Sequence, residues 1–154
     1  MFWSCFWQNE LGPLVALPKG RINSIKYCEI LKEHLLPFYA AVKEVQEEEP
    51  WLMDDNAKVH KSAFTWQFKN GLGIQTLQWP AQSPDLNPIE NLWKFWKDHI
   101  QKADPFPTNH QELIFAAEKA WEELKMVDIG QALADSIQNC ITAVKSVKGY
   151  PTKY

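Results

Sequence analysis

Apolar and polar positions recur along this chain at two different periods, and the places where one period gives way to the other mark out its elements. Met1 to Trp7 is aromatic and β-prone, Gln8-Asn9-Glu10-Leu11-Gly12-Pro13 reads as a turn, and Leu14-Val15-Ala16-Leu17 resumes an apolar run before Pro18-Lys19-Gly20. That pattern predicts a β-hairpin. Asn23 or Ser24 can cap a helix whose apolar residues Ile25, Cys28, Ile30, Leu31 and Leu35 return at helical spacing. Pro37 predicts a kink, after which the pattern continues through Phe38, Val42 and Val45 to a stop at Glu47-Glu48-Glu49-Pro50.

Trp51-Leu52-Met53 is short and apolar, as a buried strand should be, and polarity returns abruptly at Asp54-Asp55-Asn56. Ser62 to Asn70 predicts a helix through Phe64 and Phe68, closed by Gly71 and Gly73, and Ile74 to Trp79 alternates as a strand. Pro80 to Pro88 is a polar loop punctuated by proline. Asn87-Pro88-Ile89-Glu90 then carries the marks of a helix start, with Asn as cap, Pro in the first turn and Glu three residues on. Ile89, Leu92, Trp93, Trp96 and Ile100 form one apolar stripe, with Lys94, Lys97 and Asp98 turned away from it. Two further helical stretches are predicted, Asn109 to Met126 and Asp128 to Val147. Strands early, helices late and strand–helix–strand between them predict an α/β layered domain.

Its 154 residues suit a single domain, and a composition of 45% hydrophobic and 23% charged residues is that of a globular chain with no low-complexity tract. No apolar stretch approaches the roughly 20 residues of a membrane span, so no membrane partner is expected. Cys5, Cys28 and Cys140 are odd in number and widely spaced, which indicates neither a disulfide framework nor a zinc site. The eight Trp residues are expected mainly in the core. A net charge of −3 and a pI near 5.8 argue against strong sequence-independent DNA affinity, which comes mainly from Lys and Arg neutralising phosphates. The basic residues near the end, Lys145, Lys148 and Lys153, are too few to alter that balance.

Asp55 follows a strand, Glu90 opens a helix, and thirty-four residues separate them. Taken locally, Glu90 fits a capping box with Asn87, and Asp54 and Asp55 fit a turn. A pair of carboxylates brought together would instead suit a hard divalent cation such as magnesium or manganese. Two such ions can clamp the attacking and leaving oxygens of a phosphoryl displacement.

The stretch Asp55-Asn56-Ala57 with His60, followed by Trp79-Pro80-Ala81-Gln82-Ser83-Pro84-Asp85-Leu86-Asn87-Pro88-Ile89-Glu90-Asn91-Leu92-Trp93, resembles the second and third acidic motifs of Tc/mariner DDE transposases. The thirty-four-residue interval is similar to that of the family's Tc-like branch. Phe2-Trp3-Ser4-Cys5-Phe6-Trp7 with Gly12-Pro13-Leu14-Val15 resembles the second and third strands of its RNase H-like fold, and Lys148-Gly149-Tyr150-Pro151-Thr152-Lys153-Tyr154 resembles the family's C-terminus.

The resemblance implies an RNase H-like mixed sheet flanked by helices, here without its first strand and with extra C-terminal helices, in one catalytic domain over residues 1–154. It implies that Asp55 and Glu90 are the second and third catalytic and metal-holding acids, that two Mg2+ or Mn2+ ions serve the intact site, and that DNA, both transposon ends and target, is the partner. His60, Gln82 and Ser83 are the residues placed toward DNA. Asn56 after Asp55 favours Asp55 over Asp54, which is left without a role, and Asp85 is expected to hold the turn ahead of the helix. The family's first aspartate and its helix-turn-helix modules have no counterpart in these residues. The expected consequences are weak or absent cleavage by this chain alone and an exposed sheet edge that favours self-association. Nuclear localisation is implied by the family only. The alternative is a domesticated, non-catalytic module for nucleic-acid binding or protein interaction.

Overall fold

The computed structural model describes residues 1–46, 49–55, 57–78 and 86–146. It is a mixed α/β structure that divides into two compact units, one comprising residues 18–84 together with Met1, the other comprising residues 2–17 and 85–154.

In the first unit, α1 (Ser24–Ile30) begins where the Asn23 side chain accepts the Lys26 amide at 2.9 Å, so Asn23 is the cap. The helix does not break at Pro37. It passes through one π-helical turn, Leu31–Leu35, in which the Leu36 amide reaches five residues back to the Leu31 carbonyl, and then continues as α2 (Leu36–Val45). Proline lacks an N–H and crowds the carbonyl four residues before it, and a widened turn just ahead of the ring absorbs both defects without ending the helix. Tyr27, Cys28, Ile30, Leu31, Leu35 and Val42 are buried, whereas Ile25, expected on the apolar stripe, is exposed.

Strand β5 (Trp51–Leu52) and strand β6 (Gln75–Thr76) pair in parallel, Trp51 opposite Gln75 and Leu52 opposite Thr76, with α3 (Ala63–Gly71) as the connection that a parallel pair requires. Ser62 caps α3 by accepting the Thr65 amide at 3.1 Å, and Gly73, at φ 69°, turns the chain into β6 through a conformation that favours glycine. The expectation of a buried strand at Trp51-Leu52-Met53 is corrected here: the strand forms, but Trp51 is 62% exposed. Trp66 is exposed as well, so these two Trp residues depart from the expected core placement.

In the second unit, residues 2–17 form an antiparallel hairpin as predicted, but its turn is shorter than expected, because Glu10 and Leu11, placed in the turn by the sequence, are a strand. Strands β1 (Phe2–Trp3) and β4 (Val15–Ala16) pair antiparallel, as do β2 (Phe6–Trp7) and β3 (Glu10–Leu11) inside them. Each pairing among the described residues is two-stranded. The helices are α4 (Pro88–Gln101), α5 (His110–Lys125) and α6 (Gly130–Ser146), close to the bounds that hydrophobic period predicts. Leu92, Trp96 and Ile100 of α4 pack with Ala117, Ala120, Trp121 and Leu124 of α5, Ile129, and Leu133 of α6, and Phe2, Phe6 and Trp93 lie against them. Phe2 meets Trp96 edge-on at 5.0 Å and Trp93 meets Trp96 at 5.3 Å, the edge-to-face geometry that ring quadrupoles favour. Buried indoles need partners. Trp96 Nε1 donates to the Ala117 carbonyl at 2.8 Å.

Candidate metal centre

Asp55 lies just beyond β5, in the first unit. Its carboxylate is 55% exposed, and its Oδ1 accepts the Ala57 amide at 2.9 Å. The same oxygen lies 2.5 Å from His60 Nδ1, a close approach whose angles do not make a hydrogen bond, so that buried ring nitrogen is otherwise unpartnered. The His60 ring rests on Tyr27, centroids 4.2 Å apart, and 19% of its side chain is exposed. The turn that carries it is short: the His60 and Lys61 amides both donate to the Ala57 carbonyl.

Asp54 points into the unit, not outward with its neighbour. Its Oδ2 accepts the Tyr27 hydroxyl at 3.3 Å and pairs with Lys69 Nζ from α3, with side-chain exposures of 15% for Asp54 and 5% for Lys69. Lys69 Nζ also stands 5.9 Å above the Tyr27 ring. Burial, and then the Asp54 charge, hold the Tyr27 hydroxyl well above the usual tyrosine range, so it remains a proton donor. An Asp and a Lys fifteen positions apart carry no local pattern that would announce this pair. Only the abrupt Asp54-Asp55 step at the end of an apolar run pointed here.

Glu90 sits in the first turn of α4, in the second unit, and is exposed. The helix is capped by Asn87, whose side chain accepts the Ile89 amide at 3.2 Å, while the Glu90 amide donates to the Asn87 carbonyl at 3.0 Å. The Glu90 carboxylate makes no hydrogen bond or ion pair with another described residue. A capping acid that is used looks different. Glu112, three residues after the α5 cap Asn109, accepts both the amide and the hydroxyl of Thr108 at 2.8 Å. Among the described residues, helical capping therefore does not engage the Glu90 carboxylate, and the positive end of α4 favours an anion at that position.

Asp55 and Glu90 thus present exposed carboxylates whose hard oxygens fit a hard divalent cation. Each belongs to its own unit, and among the described residues no three His, Cys, Asp or Glu side chains gather into a ligand cluster. A surface cavity of about 300 Å³ in the second unit is lined by Asn9, Glu10, Leu11, Lys125, Met126, Val127 and Asp128, and Glu90 is not among its walls. Asn56, Gln82, Ser83 and Asp85, singled out in the sequence, lie outside the described residues. No described helix is long and apolar enough to cross a membrane.

Residues 14–113 match the DDE superfamily endonuclease family. Over its full length the chain is 31% identical to the transposable element Tcb1 transposase of Caenorhabditis briggsae and 30% identical to the transposable element Tc1 transposase of Caenorhabditis elegans, covering 54% of each. It is 32% identical to the transposable element Tc3 transposase of Caenorhabditis elegans over 93 residues, which is 60% of this chain and 27% of that protein. The chain therefore spans about half the length of the full-length relatives it matches.

Proposed function

This chain belongs to the DDE superfamily endonuclease family, among the Tc/mariner transposases, and from that premise we propose that residues 1–154 are catalytic-domain sequence of a Tc-like DDE transposase with an RNase H-like fold. The reaction of the whole protein is hydrolysis of the phosphodiester at element ends and joining of the freed 3′-hydroxyl to target DNA in the nucleus. The observation that carries this reading is the pair of exposed acids. Asp55 stands beyond β5 and Glu90 in the first turn of α4, at the spacing of the matched motif, and local capping does not occupy the Glu90 carboxylate.

In this reading Asp55 and Glu90 would hold Mg2+ or Mn2+, and a bound divalent metal would supply Lewis-acid stabilisation of charge on the phosphoryl oxygens. Asp55 is oriented for that task by the Ala57 amide, which fixes one oxygen and leaves the side chain open to solvent. Glu90 is oriented by α4, whose Asn87 cap satisfies the Ile89 amide and spares the Glu90 carboxylate. His60, Gln82 and Ser83 are assigned to DNA, where an imidazole N–H, an amide or a hydroxyl can hydrogen-bond a phosphate oxygen without reading sequence. With a net charge of −3, these 154 residues cannot draw strongly on phosphate attraction, and tight DNA binding falls to other sequence of the complete protein. Within residues 1–154 the resemblance assigns two acids of a triad, and the 154-residue polypeptide by itself is expected to cleave DNA weakly or not at all.

Titration of the polypeptide with Mn2+, followed by the electron paramagnetic resonance signal of the unbound ion, tests the assignment. The reading expects saturable Mn2+ binding that Asp55→Ala and Glu90→Ala each weaken about tenfold or more. Binding by both variants as tight as that of wild type overturns it and favours the non-catalytic alternative, in which the motif residues persist only as scaffold.

A further inference from the structure

Asp54 and Asp55 are consecutive, yet their side chains diverge, one 15% exposed and the other 55%. What separates them is the anchoring of Asp54, which is gripped by Tyr27 of α1 and Lys69 of α3. A buried ion pair is weak grounds for stability in itself, because desolvating two charges offsets most of their attraction, and an apolar pair of similar volume often serves as well. Its value lies in direction: the Lys69 ammonium and the Tyr27 hydroxyl accept one position of the Asp54 carboxylate and no other. Tyr27 in turn carries the His60 ring at 4.2 Å, and His60 Nδ1 closes on Asp55 Oδ1 at 2.5 Å, the oxygen that the Ala57 amide also holds. An unbroken series of contacts therefore runs from the α3 ammonium to the exposed acid.

We propose that the buried Lys69–Asp54–Tyr27 cluster, with His60 stacked upon it, is a positioning device that fixes the turn after β5 and so presents Asp55 outward in a single orientation. Lys69, Asp54, Tyr27 and His60 are positioning residues, acting through Asp55. The consequence for metal affinity rests on the proposed role of Asp55 as a ligand, whereas the consequence for the turn does not. Groups that orient a ligand commonly shift metal affinity by one to two orders of magnitude without touching the ion.

Two readouts on the 154-residue polypeptide test this: amide hydrogen exchange at Ala57 and His60 by NMR, and Mn2+ affinity. Asp54→Asn combined with Lys69→Met removes both buried charges together, which avoids stranding one of them. The double variant is expected to melt cooperatively, to exchange its Ala57 amide faster than wild type, and to bind Mn2+ about tenfold more weakly. Lys69→Arg, which keeps the cation, is expected to restore both properties toward wild type. Should the double variant fail to fold, Tyr27→Phe gives the same readout in milder form, since it deletes only the hydroxyl. Unchanged Ala57 exchange in a folded double variant, or in Tyr27→Phe if that is the variant used, overturns the proposal. Asp55→Ala separates the two claims. Unaltered Mn2+ affinity in that variant removes Asp55 as a ligand, while Ala57 exchange in the cluster variants still decides whether the cluster holds the turn.

Discussion

Trp121 Nε1 donates to the Gly12 carbonyl at 2.9 Å, joining the end of α5 to the hairpin across 109 residues of sequence. Gly12 also runs close to Cys5: its amide donates to the Cys5 carbonyl at 2.9 Å, and a β-carbon at residue 12 would stand 2.5 Å from Cys5 Sγ. Sulfur and carbon cannot share that space, and the Cys5 carbonyl oxygen would also crowd the new carbon at 3.0 Å.

Gly12→Ala is therefore expected to destabilise the protein by about 1–3 kcal/mol through overpacking. Trp121→Phe is expected to cost a similar amount, about 1–3 kcal/mol, by leaving the Gly12 carbonyl buried without its donor. Urea unfolding monitored by far-ultraviolet circular dichroism measures both. A midpoint for Gly12→Ala equal to that of wild type would refute the close approach.

Lys69→Met is expected to destabilise by about 3–5 kcal/mol, because it strands the Asp54 charge inside the first unit. Adding Asp54→Asn to that variant should recover most of the loss, since both charges then go together. Thermal melts of the three proteins decide the matter. Additive losses in the double variant would contradict a direct pairing.

The hydrogen bonds from Thr108 pull the Glu112 carboxyl below its ordinary value of 4.5. The sign follows directly. A carboxyl whose folded value is depressed contributes stability that is present above the unfolded value and lost as pH falls through the lower folded one. Glu112→Ala should accordingly melt below wild type at neutral pH, and the gap should close on acidification from about pH 4.5 downward. A gap that stays constant between neutral pH and pH 3 would assign the stabilisation to something other than the ionised carboxylate.

The elements of the second unit were legible because their signals are local and repeated. The α4 stripe of Ile89, Leu92, Trp93, Trp96 and Ile100 repeats helical spacing over three turns, and all five residues belong to the core or lie against it. The first unit was harder to read, for identifiable reasons. A two-residue strand has too few positions for alternation to reveal which side chain faces water, so Trp51 looked buried from its apolarity alone. Pro37 announced a disturbance, but whether a helix breaks or widens depends on the packing of Leu31 and Leu35. Asp55 and Glu90 were singled out through their motif, and both side chains are exposed. The roles of Asp54, Lys69 and Tyr27 were not, because a buried ion pair between residues fifteen apart leaves no periodic trace.

The proposal that Asp55 and Glu90 each hold divalent metal is the one on which the functional account stands, and crystals soaked in Mn2+ test it through the anomalous signal of the metal. The account predicts Mn2+ at about 2–2.5 Å from an oxygen of each carboxylate. Crystals in which either carboxylate carries no anomalous peak within coordination distance at saturating Mn2+ would contradict it.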